Sequence, residues 1–325
     1  MKKRFALCIM AVMLLLFMAG CSKGGVSQSS NGDIKILLSL NEMDTFRKTL
    51  VDAAVERAAA AGVQLDVLDA EGSIENQVSY IKKAAEENYD VILCSAVSID
   101  TVVELKASAG DIPIVFINSC PDEKYLEEGS YIYVGSDEQV AGQFQAEYVL
   151  EKLADKSELN VVILKGPKGH SATSGRTKGA KQALSASGKQ IHYVFEDNAN
   201  WDQEQAHMML DLYLKTGRPL DCVICNNDSM ALGVVEACEA AGIEPGSILI
   251  LGVDATADGC AAIENGEMAF TVYQSGKGQG SAAIDAAIKI ARGESLKEVE
   301  GITEDGLYVW VPFEPVNIGN VKNYE

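Results

Sequence analysis

A chain of 325 residues, 47% of them apolar, is long enough to outgrow a single core, so two domains are expected. Its 27 lysines and arginines stand against 47 aspartates and glutamates, a net charge of −20. Such a surface repels phosphate backbones and anionic lipid, which argues against nucleic-acid binding and suits a monomeric protein in an aqueous compartment.

The chain opens with Met1-Lys2-Lys3-Arg4 and an apolar run from Phe5 to Met18. Three basic residues hold the amino end on the cytoplasmic side, and a run of about fourteen apolar residues is too short to span the roughly 30 Å of hydrocarbon. Residues 1–20 therefore read as an export signal, and Ala19-Gly20-Cys21 resembles a bacterial lipoprotein signal in which Cys21 is lipidated. Loss of that signal leaves 24 basic residues against 47 acidic ones, a net of about −23. The Ser/Gly-rich stretch 21–32 reads as a tether that would keep the folded part beside the membrane.

From residue 33 onward, short apolar runs alternate with helical stretches, the pattern of βαβ units around a parallel sheet. Strands are expected at Ile34–Leu38, Val63–Leu68, Tyr89–Leu93, Ile114–Ile117 and Tyr131–Val134, and again at Asn160–Leu164, Ile191–Phe195, Asp221–Cys225, Ile248–Leu251 and Phe270–Tyr273. The clearest helix runs from Thr45 to Ala61, capped by Asp44 and stopped by Gly62, and a second from Asp228 to Ala241 stops at Gly242. Two sets of five strands predict two doubly wound α/β domains. Residues 33–136 plus 275–308 would form one lobe and 137–274 plus 309–325 the other, with crossings near Ser136, Gln274 and Tyr308. Gly276-Lys277-Gly278-Gln279-Gly280 fits neither a P-loop nor a dinucleotide fingerprint and reads as a flexible segment near this hinge.

Open α/β sheets bind ligands beyond the carboxyl ends of their strands. The residues picked out there are Asp44, Phe46, Asn118, His170, Trp201, Asn227, Asp254 and Gln274, with Arg176 on the helix that follows His170. They are rich in amides and carboxylates, carry two aromatics and lack a nucleophile–base pair, which is a binding chemistry. A sugar presents a rim of hydroxyls and ring faces of C–H groups. Carboxylates and amides bridge the hydroxyls, flat aromatics cover the faces, and a buried hydroxyl left unpaired costs about 1–3 kcal/mol. Phe46 and Trp201, one from each lobe, would clamp the ring, and Asp44, Asn118, Asn227, Asp254 and Gln274 would read its rim. Arg176 would donate a forked pair of hydrogen bonds to ring or anomeric oxygens.

From Asp33 to about Val316 the chain resembles the type I periplasmic binding proteins of the sugar class, most closely those for glucose/galactose and next those for ribose. The resemblance rests on Ile114-Val115-Phe116-Ile117-Asn118, on Leu164-Lys165-Gly166-Pro167-Lys168-Gly169-His170 followed by Arg176, and on Asn200-Trp201-Asp202. It continues through Asn226-Asn227-Asp228-Ser229-Met230-Ala231-Leu232-Gly233, Leu251-Gly252-Val253-Asp254 and Gln274. It implies two doubly wound parallel-sheet domains on a three-stranded hinge, a monosaccharide ligand and an ABC permease as partner. Ala172 and Ser119 replace an aspartate and a lysine of the glucose/galactose class, so either the anomeric end would be read differently or the ligand would differ there. The region before Phe46 carries one extra residue, which leaves Asp44, Asn41 and Glu42 open for one role. Ala154-Asp155-Lys156-Ser157-Glu158 lacks the oxygen ligands of that class's calcium loop, so no metal and no cofactor are expected.

Six cysteines follow Cys21: Cys94, Cys120, Cys222, Cys225, Cys238 and Cys260. Export permits disulfides, but Cys94, Cys222 and Cys225 sit in strand-like runs as small hydrophobes, which favours free thiols. Gly169-His170-Ser171-Ala172-Thr173 lacks the last glycine of a nucleophile elbow, so an enzyme is not expected. The expected function is the lipid-anchored receptor of a sugar importer, with a sugar sensor for a membrane kinase or chemoreceptor as the alternative.

Overall fold

The computed structural model describes residues 34–324; the expected signal, tether and lipidation at Cys21 lie outside them. The first half alternates β1 (Lys35–Leu40), α1 (Thr45–Ala61), β2 (Gln64–Asp69), α2 (Ile74–Glu86), β3 (Val91–Cys94), α3 (Val102–Ala109), β4 (Ile114–Ile117) and β5 (Tyr131–Gly135). The second alternates α4 (Glu138–Lys152), β6 (Glu158–Lys165), α5 (Ser171–Ala186), β7 (Gln190–Asn198), α6 (Gln203–Leu214), β8 (Cys222–Cys225), α7 (Asp228–Ala240), β9 (Leu249–Leu251), α8 (Ala257–Glu264) and β10 (Thr271–Gln274). Then follow α9 (Gly276–Ala291), β11 (Tyr308–Trp310) and β12 (Phe313–Val316).

The strands sort into two α/β lobes. In the first the order is β11-β5-β4-β3-β1-β2, every neighbour parallel. In the second it is β7-β6-β8-β9, all parallel, extended by β10 through the parallel bridges Leu251–Phe270 and Asp254–Tyr273, with β12 antiparallel on β10. Helices cover both faces of each sheet, and the central strands β3, β4 and β8 are correspondingly apolar throughout. Along β3, Val91 and Leu93 join the core under α1 and α9, while Ile92 and Cys94 join the core under α2 and α3. Cys222 and Cys225 likewise enter opposite cores, as a spacing of three in a strand requires. Cys94, Cys120, Cys222, Cys225 and Cys238 are free thiols, all but Cys120 buried. Buried Cys260 lends its Sγ to the carbonyl of Ala255 at 3.6 Å.

Helix α1 begins and ends where its sequence dictates. The Asp44 carboxylate accepts from the Arg47 N–H, and Gly62, at φ 69°, closes the helix in the left-handed conformation that a side chain disfavours.

The glycine-rich segment 276–280 corrects an expectation. It is the regular first turn of α9, packed against α1, where a Cβ on Gly280 would collide with the Leu50 carbonyl and come within 2.9 Å of the Ala54 nitrogen. Glycine is present because two backbones touch, and the contact overrides its weak helix propensity.

The chain passes between lobes after β5, after β10 and between Trp310 and Phe313. Ser136 ties these passages together: its hydroxyl donates to the Val311 carbonyl at 2.7 Å and accepts from Gln279 Nε2 at 3.0 Å.

Candidate functional site

A narrow cavity lies between the lobes. All nine candidate residues line it, together with Arg47 and Ala172. Of the three alternatives before Phe46, Asp44 stands at the wall. Asn41 is buried elsewhere, its Oδ1 accepting from Ser95 Oγ at 2.9 Å, and Glu42 is exposed outside the lining.

On the first lobe, Asp44 does two jobs. Its Oδ1 caps α1, and its Oδ2 accepts from Arg47 Nη1 at 2.7 Å. Arg47 is only 3% exposed and donates from Nε to Asn118 Oδ1 at 3.2 Å. Asn118 ends β4 at φ 59°, a left-handed conformation that asparagine tolerates. Phe46, one position before Arg47, leans on the first core and lines the cavity.

On the second lobe, Arg176 is the organising cation. Its Nε donates to Glu138 Oε2 at 2.7 Å, Nη1 to the Asn226 carbonyl at 2.6 Å and Nη2 to Gln274 Oε1 at 3.0 Å. Three of five N–H groups are thus used, leaving one on each terminal nitrogen. The fork expected to face the ligand is therefore mostly turned into the protein, which fixes the guanidinium plane. Close packing of α4 on α5 makes this reach possible: a Cβ on Gly142 would strike the Arg176 backbone, and one on Gly175 would come within 2.5 Å of the Glu138 Cβ. Burial raises the Glu138 carboxyl, against the pull of Arg176.

His170 caps α5, its Nδ1 accepting from the Ala172 N–H at 3.2 Å. Burial, reinforced by Arg47 and Arg176, lowers its pKa to about 3, so the ring is neutral and carries its proton on Nε2. Trp201 meets His170 edge to face at 5.6 Å and lies against Gly166, where a Cβ would overlap the indole. Asn227 caps α7 through Oδ1, at 3.0 Å from the Met230 nitrogen. Asp254, held 3.7 Å from Arg176 Nη1, is raised well above an ordinary carboxyl by burial, with Asp228 adding to the shift and Arg176 opposing it.

Backbone strain gathers here. Asn118, Trp201 and Asp254 all have positive φ, at 59°, 64° and 117°. For Trp201 and Asp254 this is uncommon backbone, of the kind that persists where the surroundings hold it and that clusters at binding sites. Asp228 braces the loop bearing Asp254: it accepts from the Thr256 N–H at 2.8 Å, Thr256 Oγ1 at 3.2 Å and Thr271 Oγ1 at 2.6 Å. Gly252 and Gly259 leave room for that carboxylate.

Sequence reasoning missed Arg47 and Glu138. Arg47 looks like any polar residue in the first turn of a helix, and only its neighbour Phe46 marks that turn as facing the cleft. Glu138 follows the cap Asp137 and reads as a solvated residue of the first turn. The lobes also touch beside the cavity, where the Cys120 N–H donates to Ser171 Oγ at 2.8 Å.

The sequence profile of the periplasmic binding protein domain matches residues 34–295. The chain is 31% identical to a putative rhizopine-binding protein of Rhizobium meliloti, over 99% of both chains. It is 28% identical to the D-galactose/methyl-galactoside binding periplasmic protein of Haemophilus influenzae, over 93% of this chain and 95% of that one. Among solved structures, it resembles an ABC transporter solute binding protein from Bacillus halodurans with bound myo-inositol, at 28% identity and a TM-score of 0.79, covering 91% of this chain and 99% of that one. A D-allose-bound solute binding protein from Actinobacillus succinogenes matches at 25% identity and a TM-score of 0.77, over 89% and 99% of the two chains.

Proposed function

The chain belongs to the periplasmic binding protein family of sugar-binding receptors, and from that premise we propose that it delivers a hexose-sized polyol to an ABC importer while tethered to the membrane through Cys21. It is a binding protein, not an enzyme. The observation that carries the ligand class is the convergence of two aromatic rings, Phe46 and Trp201, from opposite lobes on a cavity otherwise walled, apart from Ala172, by amides, carboxylates, arginines and a histidine. Stacked rings suit the C–H faces of a sugar or cyclitol, and the polar wall suits its hydroxyl rim. Relatives carrying galactoside, myo-inositol and allose in their names all handle polyols of that size.

The two lobes would rotate about the three passages, and a ligand touching both would shift the population toward the closed form. The Cys21 anchor would then hold an extracytoplasmic receptor beside its permease.

A thermal-shift panel of glucose, galactose, allose, ribose, xylose, arabinose and myo-inositol tests the ligand class. A ligand at a hundred times its Kd stabilises the folded form by about 2.7 kcal/mol. At least one of these polyols is expected to raise the melting temperature, and Trp201→Ala to remove most of that rise. No shift with any of them would overturn the reading.

A further inference from the structure

Beside the cavity, a backbone group of the first lobe reaches a side chain of the second. The Cys120 N–H donates to Ser171 Oγ at 2.8 Å, inside the normal range for such a bond. Among the described residues it is the one hydrogen bond that joins the lobes away from the three passages, where Ser136, Val311 and Gln279 meet.

Both ends of the bond adjoin ligand-facing groups. Cys120 lies two residues after Asn118, which stands at the centre of a three-residue turn at φ 59°, closed by the Ser119 N–H on the Ile117 carbonyl at 2.6 Å. A turn this tight leaves little freedom between the two residues, so holding the Cys120 N–H also holds the Asn118 side chain at the cavity wall. On the other side, Ser171 opens α5 directly after His170, another wall residue. Its hydroxyl does not cap that helix, because His170 Nδ1 already accepts the Ala172 N–H. The Ser171 oxygen serves the opposite lobe instead.

We propose that Ser171 is a positioning residue for ligand binding: by accepting the Cys120 N–H it ties the Asn118 turn of the first lobe to the His170 corner of the second and holds the lobes closed around the ligand. When the lobes part, both groups turn to water, so the bond favours the closed form by the net value of one neutral hydrogen bond, about 3- to 10-fold. A ligand enters while the lobes are apart and leaves once they part again. Loss of the bond therefore speeds release and spares entry.

The inference rests on the polyol reading of the same cavity, and the experiment separates the two. Wild type, Ser171→Ala, which removes the acceptor, and Ser171→Thr, which keeps it, are titrated with glucose, galactose, allose and myo-inositol. Because His170 caps α5, the ligand-free melting temperatures are expected to agree within about 2 °C. For the tightest-bound polyol, calorimetry and stopped-flow kinetics should show Ser171→Ala about 3- to 10-fold weaker, with the loss in koff and kon within about twofold, and Ser171→Thr within about twofold of wild type. Hydrogen exchange followed by NMR reads the bond itself, and residue 171 is too far along the chain to alter the intrinsic exchange of the Cys120 amide. Ligand should slow that exchange at least about tenfold in wild type and less than about threefold in Ser171→Ala. Unchanged affinity in Ser171→Ala, a loss carried by kon, equal losses in the two variants, or a Cys120 amide indifferent to ligand would overturn the tie while leaving the sugar site standing. Failure of wild type to bind any of the four probes would overturn the polyol reading instead. The ligand-free Cys120 amide would then decide the tie: exchange at least about threefold faster in Ser171→Ala supports it, and equal exchange overturns it.

Discussion

Gly166→Ala is the sharpest single test of the Trp201 platform, because it moves the ring without altering any group that could bond a ligand. A methyl there would stand 2.5 Å from Thr173 Oγ1 and closer still to Cη2 and Cζ2 of Trp201, whereas carbon contacts settle at about 3.5–4.0 Å. The indole must therefore retreat by more than about 1 Å. Gly166 does not sit at a left-handed φ, so alanine adds a side chain without backbone strain. A ring displaced that far no longer meets a ligand face at stacking distance, which forfeits about 1–2 kcal/mol, or 5- to 30-fold in affinity. Calorimetric titration with the sugar selected by the thermal-shift panel reads this loss. In a Trp201→Ala background the same glycine change is expected to add almost nothing, because both substitutions act through one ring. Affinity within twofold of wild type for Gly166→Ala, or full additivity of the pair, would refute the reasoning.

Two further expectations follow from buried charge. Asp228→Ala strands the donors of half-buried Thr256 and buried Thr271 and should destabilise the protein by about 2–4 kcal/mol in urea denaturation, with affinity falling as the Asp254 loop loosens; a loss under about 0.5 kcal/mol would contradict the brace. His170, with a folded pKa of about 3 against an unfolded 6.5, stays neutral while the unfolded chain protonates, so it contributes stability above pH 6.5 that is lost as pH falls from there toward 3. The loss approaches about 1.4 kcal/mol per pH unit, and His170→Gln should abolish that part of the acid slope. An imidazole resonance of His170 titrating near 6.5 would refute this.

Much of the fold is legible from residue order alone, and for physical reasons. Strands buried on both faces, such as Val91–Cys94 and Ile114–Ile117, must be continuously apolar, and Gly62 and Asp44 bracket α1 by stereochemistry that acts within one turn. Most of the wall residues could be picked out because a doubly wound sheet sends every strand end to the same edge, whereas Arg176 lies inside α5. Long-range contact hides the rest. Nothing near Gly280 reveals that Leu50 will press on it, and nothing near Glu138 reveals Arg176, 38 positions later in the chain. Likewise, β11 and β12 are three and four residues long, too short for alternation to mark them.

The central claim is that a sugar ring is held between the lobes by Phe46 and Trp201. A crystal structure of the protein with the most stabilising polyol tests it directly. The account predicts the ring between those two side chains, with Arg176, Asp254 and Arg47 within hydrogen-bonding distance of its oxygens. A polyol seated elsewhere on the protein, with that cavity filled only by solvent, would contradict it.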